Sequence, residues 1–171
     1  MKLIIAAAAP LIATLLLTSG LSAKSPDQLE KQIQKNVSLP EDFEISLFAS
    51  GMKQPRLMVQ TPSGDLIVSS YGSKIYLVSK TSDIGQGSES VQTLMSGLSQ
   101  PHGVLLDGDW LYVAEQHRVT RIRFDADNNK VSGKREIVLT GLPDNGGHFS
   151  RTLKKGPDGW FYLTIGSSCN V

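Results

Sequence analysis

The sequence predicts an all-β fold built from repeated sheets of short strands, and three observations lead to this prediction. After residue 40, Gly and Pro interrupt the chain every few residues and separate short apolar runs, a pattern typical of strands. Similar segments contain Gly51, Gly97 and Gly141, which are 46 and 44 residues apart. A repeat of about 45 residues with four short strands per unit is typical of a β-propeller blade. A turn before an apolar strand recurs in the same phase at residues 64–68, 108–113 and 158–163.

Each blade is expected to be a four-stranded antiparallel sheet. The strands of the first complete blade are predicted at residues 56–60, 65–70, 74–79 and 91–95. Those of the second are predicted at 103–106, 110–115, 119–124 and 136–139. The third blade begins near Ser150 and ends within its second strand, and residues 43–49 are predicted to be the outermost strand of a further blade. The sequence therefore predicts about two and a half blades of a partial β-propeller.

This number of blades is too small to close a ring, because propellers typically need roughly 4 to 8 blades. Open strand edges at both ends would invite pairing or aggregation. We therefore expect residues 41–171 to be a partial β-propeller truncated at its C-terminus, within a fragment of a longer protein or a truncated gene product. The alternative is a small open stack of sheets that is complete as it stands, although the sequence shows no capping repeat.

The first 23 residues are predicted to be a signal peptide and are excluded from the fold. Lys2 is the only charged residue before Lys24, and residues 3–17 form an apolar run that Pro10 interrupts. This run is shorter than the roughly 20 residues needed to span a bilayer, and its length suits a signal core. Cleavage after Ala23 would give a periplasmic or secreted protein with no stable membrane span. The alternative is an uncleaved membrane anchor.

Residues 24–40 are predicted to form a short helix and a linker that leads into the sheets. Ser25 is suited to the N-cap, with Pro26 at the first helical position and Gln28 completing a capping box. The helix is expected to stop before the Leu-Pro pair at 39–40, since the residue before a proline disfavours helical geometry.

Composition excludes several classes of partner and chemistry. The 17 Lys and Arg against 16 Asp and Glu give a net charge of +1, so no broad field favours nucleic acid or anionic lipid. The sequence contains no phosphate-binding Gly-rich loop and no paired zinc ligands, which argues against nucleotide and zinc chemistry. Cys169 is the single cysteine, so an internal disulfide is impossible in this exported chain.

Three basic or titratable residues are predicted to meet at one end of the propeller axis. Arg56 follows Pro55, His102 follows Pro101, and His148 holds the corresponding entry position two residues later in its repeat. Equivalent positions on successive blades converge, so these side chains would suit an anionic cofactor and proton abstraction. The alternative is that Arg56 and His102 are ordinary loop residues bonded to neighbouring carbonyls. The strand that begins at Arg151 is expected to fix the base of the His148 loop.

The residues around His148 resemble a known family. The segments that carry the likeness are GLP at 141–143, GGHFSRTL at 146–153, GPDG at 156–159 and YLTIGSSCN at 162–170, with weaker support from LP at 39–40, FEI at 43–45 and LYVAE at 111–115. Over about residues 39–171 the chain resembles the glucose/sorbosone dehydrogenase family of pyrroloquinoline quinone enzymes, and it looks closest to the sorbosone dehydrogenase branch. The segment around His148 is the specific part of this likeness.

This resemblance implies a six-bladed propeller that oxidises a sugar or a sugar-derived aldehyde. His148 falls on the histidine that takes a proton from the substrate hydroxyl while hydride passes to the quinone, and Arg56, His102 and Arg151 are assigned to cofactor binding. Gly147 and Ser167 stand where the soluble glucose dehydrogenase branch has Asp. Pyrroloquinoline quinone and calcium are the implied cofactors, with most of their ligands expected after residue 171 and a separate electron acceptor required.

The resemblance also bears on the C-terminus, where the tripeptide at 169–171 resembles the start of a Cys-Asn-x-Cys motif. The 171-residue chain alone is therefore expected to be inactive or nearly so. No metal ligand is assigned within it.

Other interpretations of the sequence remain open. Asp125, Asp127, Asn129 and Glu136 match positions 1, 3, 5 and 12 of a calcium-binding loop, but Lys130 stands where that loop needs glycine, so a polar hairpin is the competing interpretation. Residues 115–118 are interpreted as a charged hairpin tip. The alternative functions are a propeller lactonase and a non-catalytic propeller used as a binding module.

Overall fold

The computed structural model of the chain describes residues 2–7, 25–79, 91–145 and 147–167. Helix α1 spans Pro26–Asn36 and begins with the predicted capping box. The Ser25 hydroxyl accepts from the Gln28 amide, and the Gln28 side chain accepts from the Ser25 amide at 3.0 Å. The helix ends three residues before Leu39-Pro40, as expected from the restriction that proline places on its predecessor.

Strand β1, at Lys2–Ala7, pairs in parallel with strand β2, at Glu44–Ser50. The β1 segment lies within the predicted signal peptide. Removal of that peptide stays a prediction, and its expected cleavage site after Ala23 lies outside the described residues. In β2 the side chains of Ile45, Leu47 and Ala49 alternate with more exposed ones and are buried. Ala49 packs into an apolar cluster with residues of the next sheet, so β2 is attached to the first blade through side chains.

The first blade, blade I, is a four-stranded antiparallel sheet. Its strands are β3 at Pro55–Gln60, β4 at Leu66–Ser70, β5 at Ile75–Val78 and β6 at Val91–Met95, in that spatial order. The two middle strands are almost fully buried, because each is covered on both faces. The predicted strand positions are confirmed, and no boundary differs by more than one residue.

The second blade, blade II, repeats this arrangement. Its strands are β7 at Gly103–Asp107, β8 at Trp110–Ala114, β9 at Arg118–Asp125 and β10 at Lys130–Thr140. The predicted start of the last strand at residue 136 was wrong, since β10 begins at Lys130 and pairs with β9 through two irregular steps. The reason is the tight turn before it. The Asp125 carboxylate accepts from the amides of Asp127 and Asn128, which brings β10 directly back onto β9.

The third blade, blade III, is represented in the described residues by the hairpin of β11 at Arg151–Lys155 and β12 at Phe161–Ile165. Blades I and II share an apolar cluster that includes Ile67, Ile75, Leu111, Val113 and Phe124. Blades II and III share another, formed by Tyr112, Ala114, Val119, Leu142 and Leu153. The blades are therefore stacked face to face, as sheets in a propeller are.

Two close contacts show how the start of β7 adjoins blades I and III. The Ser69 hydroxyl of blade I donates to the carbonyl oxygen of His102 at 2.6 Å. Gly103 at the start of β7 approaches blade III so closely that an added Cβ would lie 2.5 Å from the Arg151 carbonyl oxygen. The predicted fold class, an all-β partial propeller with antiparallel four-stranded blades, is confirmed. Within the described ranges, no helix is both long and apolar enough to cross a membrane.

Candidate functional site

The structure brings the predicted residues of blades I and III together at one end of the blade stack. The Arg56 guanidinium lies over the Tyr71 ring, 5.1 Å from its centroid. The same ring is 5.7 Å from the ring of Phe149, the residue after His148. Arg56 itself is exposed, so its charge is available to a ligand at this end. Tyr71 thus bridges the entry of blade I and the loop that precedes blade III.

His102 lies at the same end and is held by blade II and its neighbours. Its amide donates to the Ala114 carbonyl at 2.9 Å, and its own carbonyl accepts from Ser69. The ring is half-buried, and its Nδ1 atom is buried with no hydrogen-bond partner among the described residues. Burial lowers the pKa of His102, a hydrogen bond with the Arg151 backbone opposes that shift, and the charges of Arg56 and Arg151 lower it further. The imidazole is therefore held in its neutral form near pH 7.

A repeated backbone feature places Arg56 and His102. Each follows a Gln-Pro pair, and both glutamines, Gln54 and Gln100, adopt a φ of +47°. A positive φ is uncommon for a residue with a side chain. At both glutamines the chain turns into the first strand of a blade, β3 or β7. Repetition of the same strained turn explains why the two residues after the prolines arrive at equivalent positions.

His148 is exposed and lies in the loop 143–150 between blades II and III. Its main chain packs against Gly166 at the end of β12, where an added Cβ would lie 2.9 Å from the His148 Cβ. The Gly166 amide donates to the carbonyl of Ser150 at 3.0 Å, which fixes the other side of the loop to the same strand end. An exposed imidazole on a fixed main chain is accessible to a substrate hydroxyl.

Arg151, predicted to bind a cofactor, is only 1% exposed. Its guanidinium donates to the carbonyl oxygens of Gln116 at 3.1 Å, Ser150 at 2.9 Å and His148 at 3.4 Å, and also to that of Pro143. Its contact with a cofactor stays a prediction. The observed contacts tie the His148 loop to blade II.

The hairpin at residues 115–118 is more than the exposed charged tip expected from sequence. Glu115 is fully buried, and its carboxylate accepts from Arg118 Nε at 2.9 Å, from Thr120 at 3.1 Å and from the Ser99 amide at 2.7 Å. Burial opposes ionisation, but the hydrogen bonds from Arg118 and Ser99 outweigh it and lower the pKa of Glu115. Sequence reasoning missed this centre. The available signal was Glu115 and Arg118 flanking a turn after an apolar strand.

The residues that matched a calcium-binding loop separate in the structure. Asp125 holds its own hairpin turn, Glu136 pairs with Arg121 at 2.9 Å, and Asn129 donates to Asp65 of blade I at 2.6 Å. The polar-hairpin interpretation therefore accounts for their contacts. Within the described part of the chain, no three His, Cys, Asp or Glu side chains converge in a way that could hold a metal ion. Cys169 lies outside the described residues.

Sequence comparison places this propeller in a family. The profile of the TrAA12-like family matches residues 37–171, which is most of the chain. The chain belongs to the TrAA12-like family. Membership of the sorbosone dehydrogenase branch stays a prediction. No curated protein sequence matches the chain.

The fold of this TrAA12-like chain is similar to that of several solved structures, including the following three. The pyranose dehydrogenase PQQ domain from Coprinopsis cinerea has a TM-score of 0.61 and 20% identity, and the match covers 71% of this chain and 30% of that one. The family AA12 carbohydrate-active enzyme from Trichoderma reesei has a TM-score of 0.61 and 23% identity, over 70% and 31%. The PQQ-bound aldose sugar dehydrogenase from Streptomyces coelicolor has a TM-score of 0.52 and 23% identity, over 72% and 41%. The match therefore spans about a third of the length of the first two structures.

Proposed function

We propose that this TrAA12-like chain forms the first blades of an exported, quinone-dependent dehydrogenase that oxidises a sugar or a sugar-derived aldehyde. The observation that carries the proposal is the convergence of Arg56, His102 and the His148 loop at one end of the blade stack. The names of the similar structures support the same chemistry, because they include two sugar dehydrogenase proteins described with PQQ. Export rests on the predicted signal peptide at residues 1–23.

His148 is proposed as the general base. Its imidazole is exposed, and an imidazole nitrogen can accept a proton, so the ring can serve a substrate hydroxyl that reaches it. The packing of its main chain against Gly166 limits where the ring can lie. General-base catalysis of this kind typically contributes roughly 10²- to 10⁴-fold to the rate.

The residues at this end of the stack fit an anionic cofactor with several carboxylates. Arg56 presents an exposed guanidinium that stacks on Tyr71, and the buried Nδ1 of His102 has no partner among the described residues. We propose that these two side chains hold pyrroloquinoline quinone. The Arg56 guanidinium would donate to a carboxylate, and the neutral His102 ring, whose N–H is bonded to the Arg151 backbone, would accept through Nδ1 from a hydrogen-bond donor of the cofactor. When bound, the quinone supplies an acceptor for hydride from the substrate. Calcium is proposed as its companion, with no ligand assigned within this chain.

The test is dye-linked oxidation of sugars and aldehydes by the complete gene product that carries this chain, reconstituted with pyrroloquinoline quinone and calcium. We expect His148→Ala to lower kcat about 10³-fold, because the base is lost, while the dissociation constant of the quinone stays within about twofold. Arg123→Met, which removes an exposed arginine of blade II, is the control and should keep full activity. The proposal would be contradicted if the wild type oxidised sugars at the same rate without quinone, or if His148→Ala kept full turnover.

A further inference from the structure

The buried arginine of blade III is the feature that the proposed chemistry leaves unexplained. Burying a cation is costly unless its donors are satisfied. Among the described residues, the Arg151 guanidinium has no carboxylate partner and instead donates to four backbone carbonyl groups. Such charge-assisted hydrogen bonds are among the stronger ones in proteins, and the planar guanidinium fixes their directions. The Arg151 guanidinium therefore fixes the main chain of the segments that provide those carbonyls.

The four carbonyls belong to two segments only. Pro143, His148 and Ser150 lie in the loop 143–150, on both sides of and at the proposed base. The fourth, Gln116, belongs to the hairpin 115–118 of blade II, whose Glu115 is fully buried. The Gln116 side chain adds a bond to the Asp144 carbonyl at 3.1 Å. Arg151 thus ties the loop to a rigid part of the neighbouring blade.

A second contact restrains His148 from the opposite strand. An added Cβ at Gly166 would lie 2.8 Å from the His148 carbonyl oxygen and 2.9 Å from its Cβ. Real Cβ atoms essentially never come this close, so only glycine allows the observed position of the His148 main chain. The His148 carbonyl is therefore set between the Arg151 guanidinium and Gly166.

We propose that Arg151 and Gly166 are positioning residues that fix the main chain of His148 so that its imidazole faces the reacting hydroxyl. This inference rests on the proposed function, in which His148 is the base. It gives Arg151 a role different from direct contact with the cofactor. A misplacement of about 1 Å in a catalytic group can lower a rate roughly 10²-fold, so a held main chain has a direct effect on turnover.

The test compares Arg151→Lys, Gly166→Ala and the exposed-arginine control Arg123→Met in the complete, reconstituted protein. Lysine keeps the charge but cannot serve four carbonyls with a planar fork. Alanine at 166 leaves the Arg151 guanidinium in place but forces the His148 main chain to move, and with it one of the four carbonyl acceptors of Arg151. We expect each variant to lower kcat about 30- to 100-fold, with KM for the sugar and the quinone dissociation constant changed less than threefold.

Two further measurements separate positioning from general destabilisation. Hydrogen exchange of the amides in 143–150 should rise about tenfold in Arg151→Lys, while exchange in β4, β5 and β8 stays unchanged. In a His148→Ala background, either substitution should cost almost nothing more in kcat, because the base that it positions is already absent.

Three results would overturn the inference: weakened quinone binding with normal exchange in 143–150, full additivity with His148→Ala, or wild-type kcat in Gly166→Ala. If the wild-type protein shows no quinone-dependent turnover, the proposed function fails. Exchange in 143–150 then still decides whether Arg151 and Gly166 fix the loop.

Discussion

His102 and His148 are predicted at corresponding entry positions of successive blades, and their surroundings in the structure differ. His102 follows Gly97 by five residues, is half-buried, and is bonded through both its amide and its carbonyl. His148 follows Gly141 by seven residues, and its side chain is exposed. The segment before the second histidine is therefore longer by two residues, and the main chain of that histidine packs against Gly166. The longer segment is the one whose histidine side chain is exposed.

The difference also separates their electrostatics. His102 lies near the charges of Arg56 and Arg151, and its burial lowers its pKa, so the neutral ring is retained at neutral pH. A neutral ring of this kind can serve as a fixed hydrogen-bonding group, whereas an exposed ring can exchange protons with substrate and solvent. Under the proposed function, the histidine of blade II would bind the cofactor and the histidine before blade III would take the proton.

The largest effect on stability is expected at the hairpin beneath the His148 loop. Glu115→Gln removes a fully buried charge and leaves the Arg118 guanidinium without its partner. We expect the free energy of unfolding to fall by about 3 kcal/mol, as when one member of a buried ion pair is lost. Urea unfolding of the chain measures this change.

The matched control is Glu136→Gln, because the Glu136 side chain is 49% exposed and pairs with Arg121 on the blade surface. It should change the free energy of unfolding by less than about 0.5 kcal/mol. If both substitutions lowered the free energy of unfolding equally, the buried Glu115 carboxylate would stabilise the protein no more than a surface ion pair does.

The next effect concerns the pH dependence of stability, to which the half-buried ring of His102 contributes. The lowered pKa of His102 means that the unfolded chain takes up a proton near pH 6.5 while the folded chain does not. Stability should therefore fall as the pH decreases from about 6.5 towards the folded pKa. His102→Gln should make this decline shallower, whereas Arg123→Met, which removes an exposed arginine of blade II, should leave it as in the wild type. Melting temperatures between pH 7.5 and roughly pH 5 measure both. An identical decline in all three proteins would refute the assignment.

The smallest effect is expected at the turns that place Arg56 and His102. Gln54→Gly relieves a positive φ but adds freedom to the unfolded chain, so we expect a gain of about 0.5 kcal/mol or less. Gln100→Gly should gain about 1 kcal/mol, because it also removes a buried Oε1 that has no partner among the described residues. Denaturant midpoints compare the two. A loss of stability in both variants would show that the glutamine side chains, rather than the backbone, hold the turns.

Much of the blade architecture could be predicted from local pattern. The Gly51, Gly97 and Gly141 repeat, the capping box at Ser25 and the alternation of turns with apolar runs each depend on nearby residues, and the observed strands agree with them. The start of β10 could not be placed in this way. It depends on how Asp125 closes a turn and on irregular pairing with β9, and neither leaves a periodic signal.

The chain's own pattern of short strands and turns was sufficient to predict the blades and to predict that Arg56, His102 and the loop with His148 lie toward one end, because repeated units stack in register. The roles of Glu115, Arg151 and Gly166 appeared only once the blades were packed together. Their contacts join residues on different blades, such as Arg151 with Gln116, or on separate strands, such as Gly166 with the His148 loop. Burial of a charge and the closeness of two backbones are properties of packing. The local pattern therefore marked Glu115 and Arg118 at a turn without showing that Glu115 is buried.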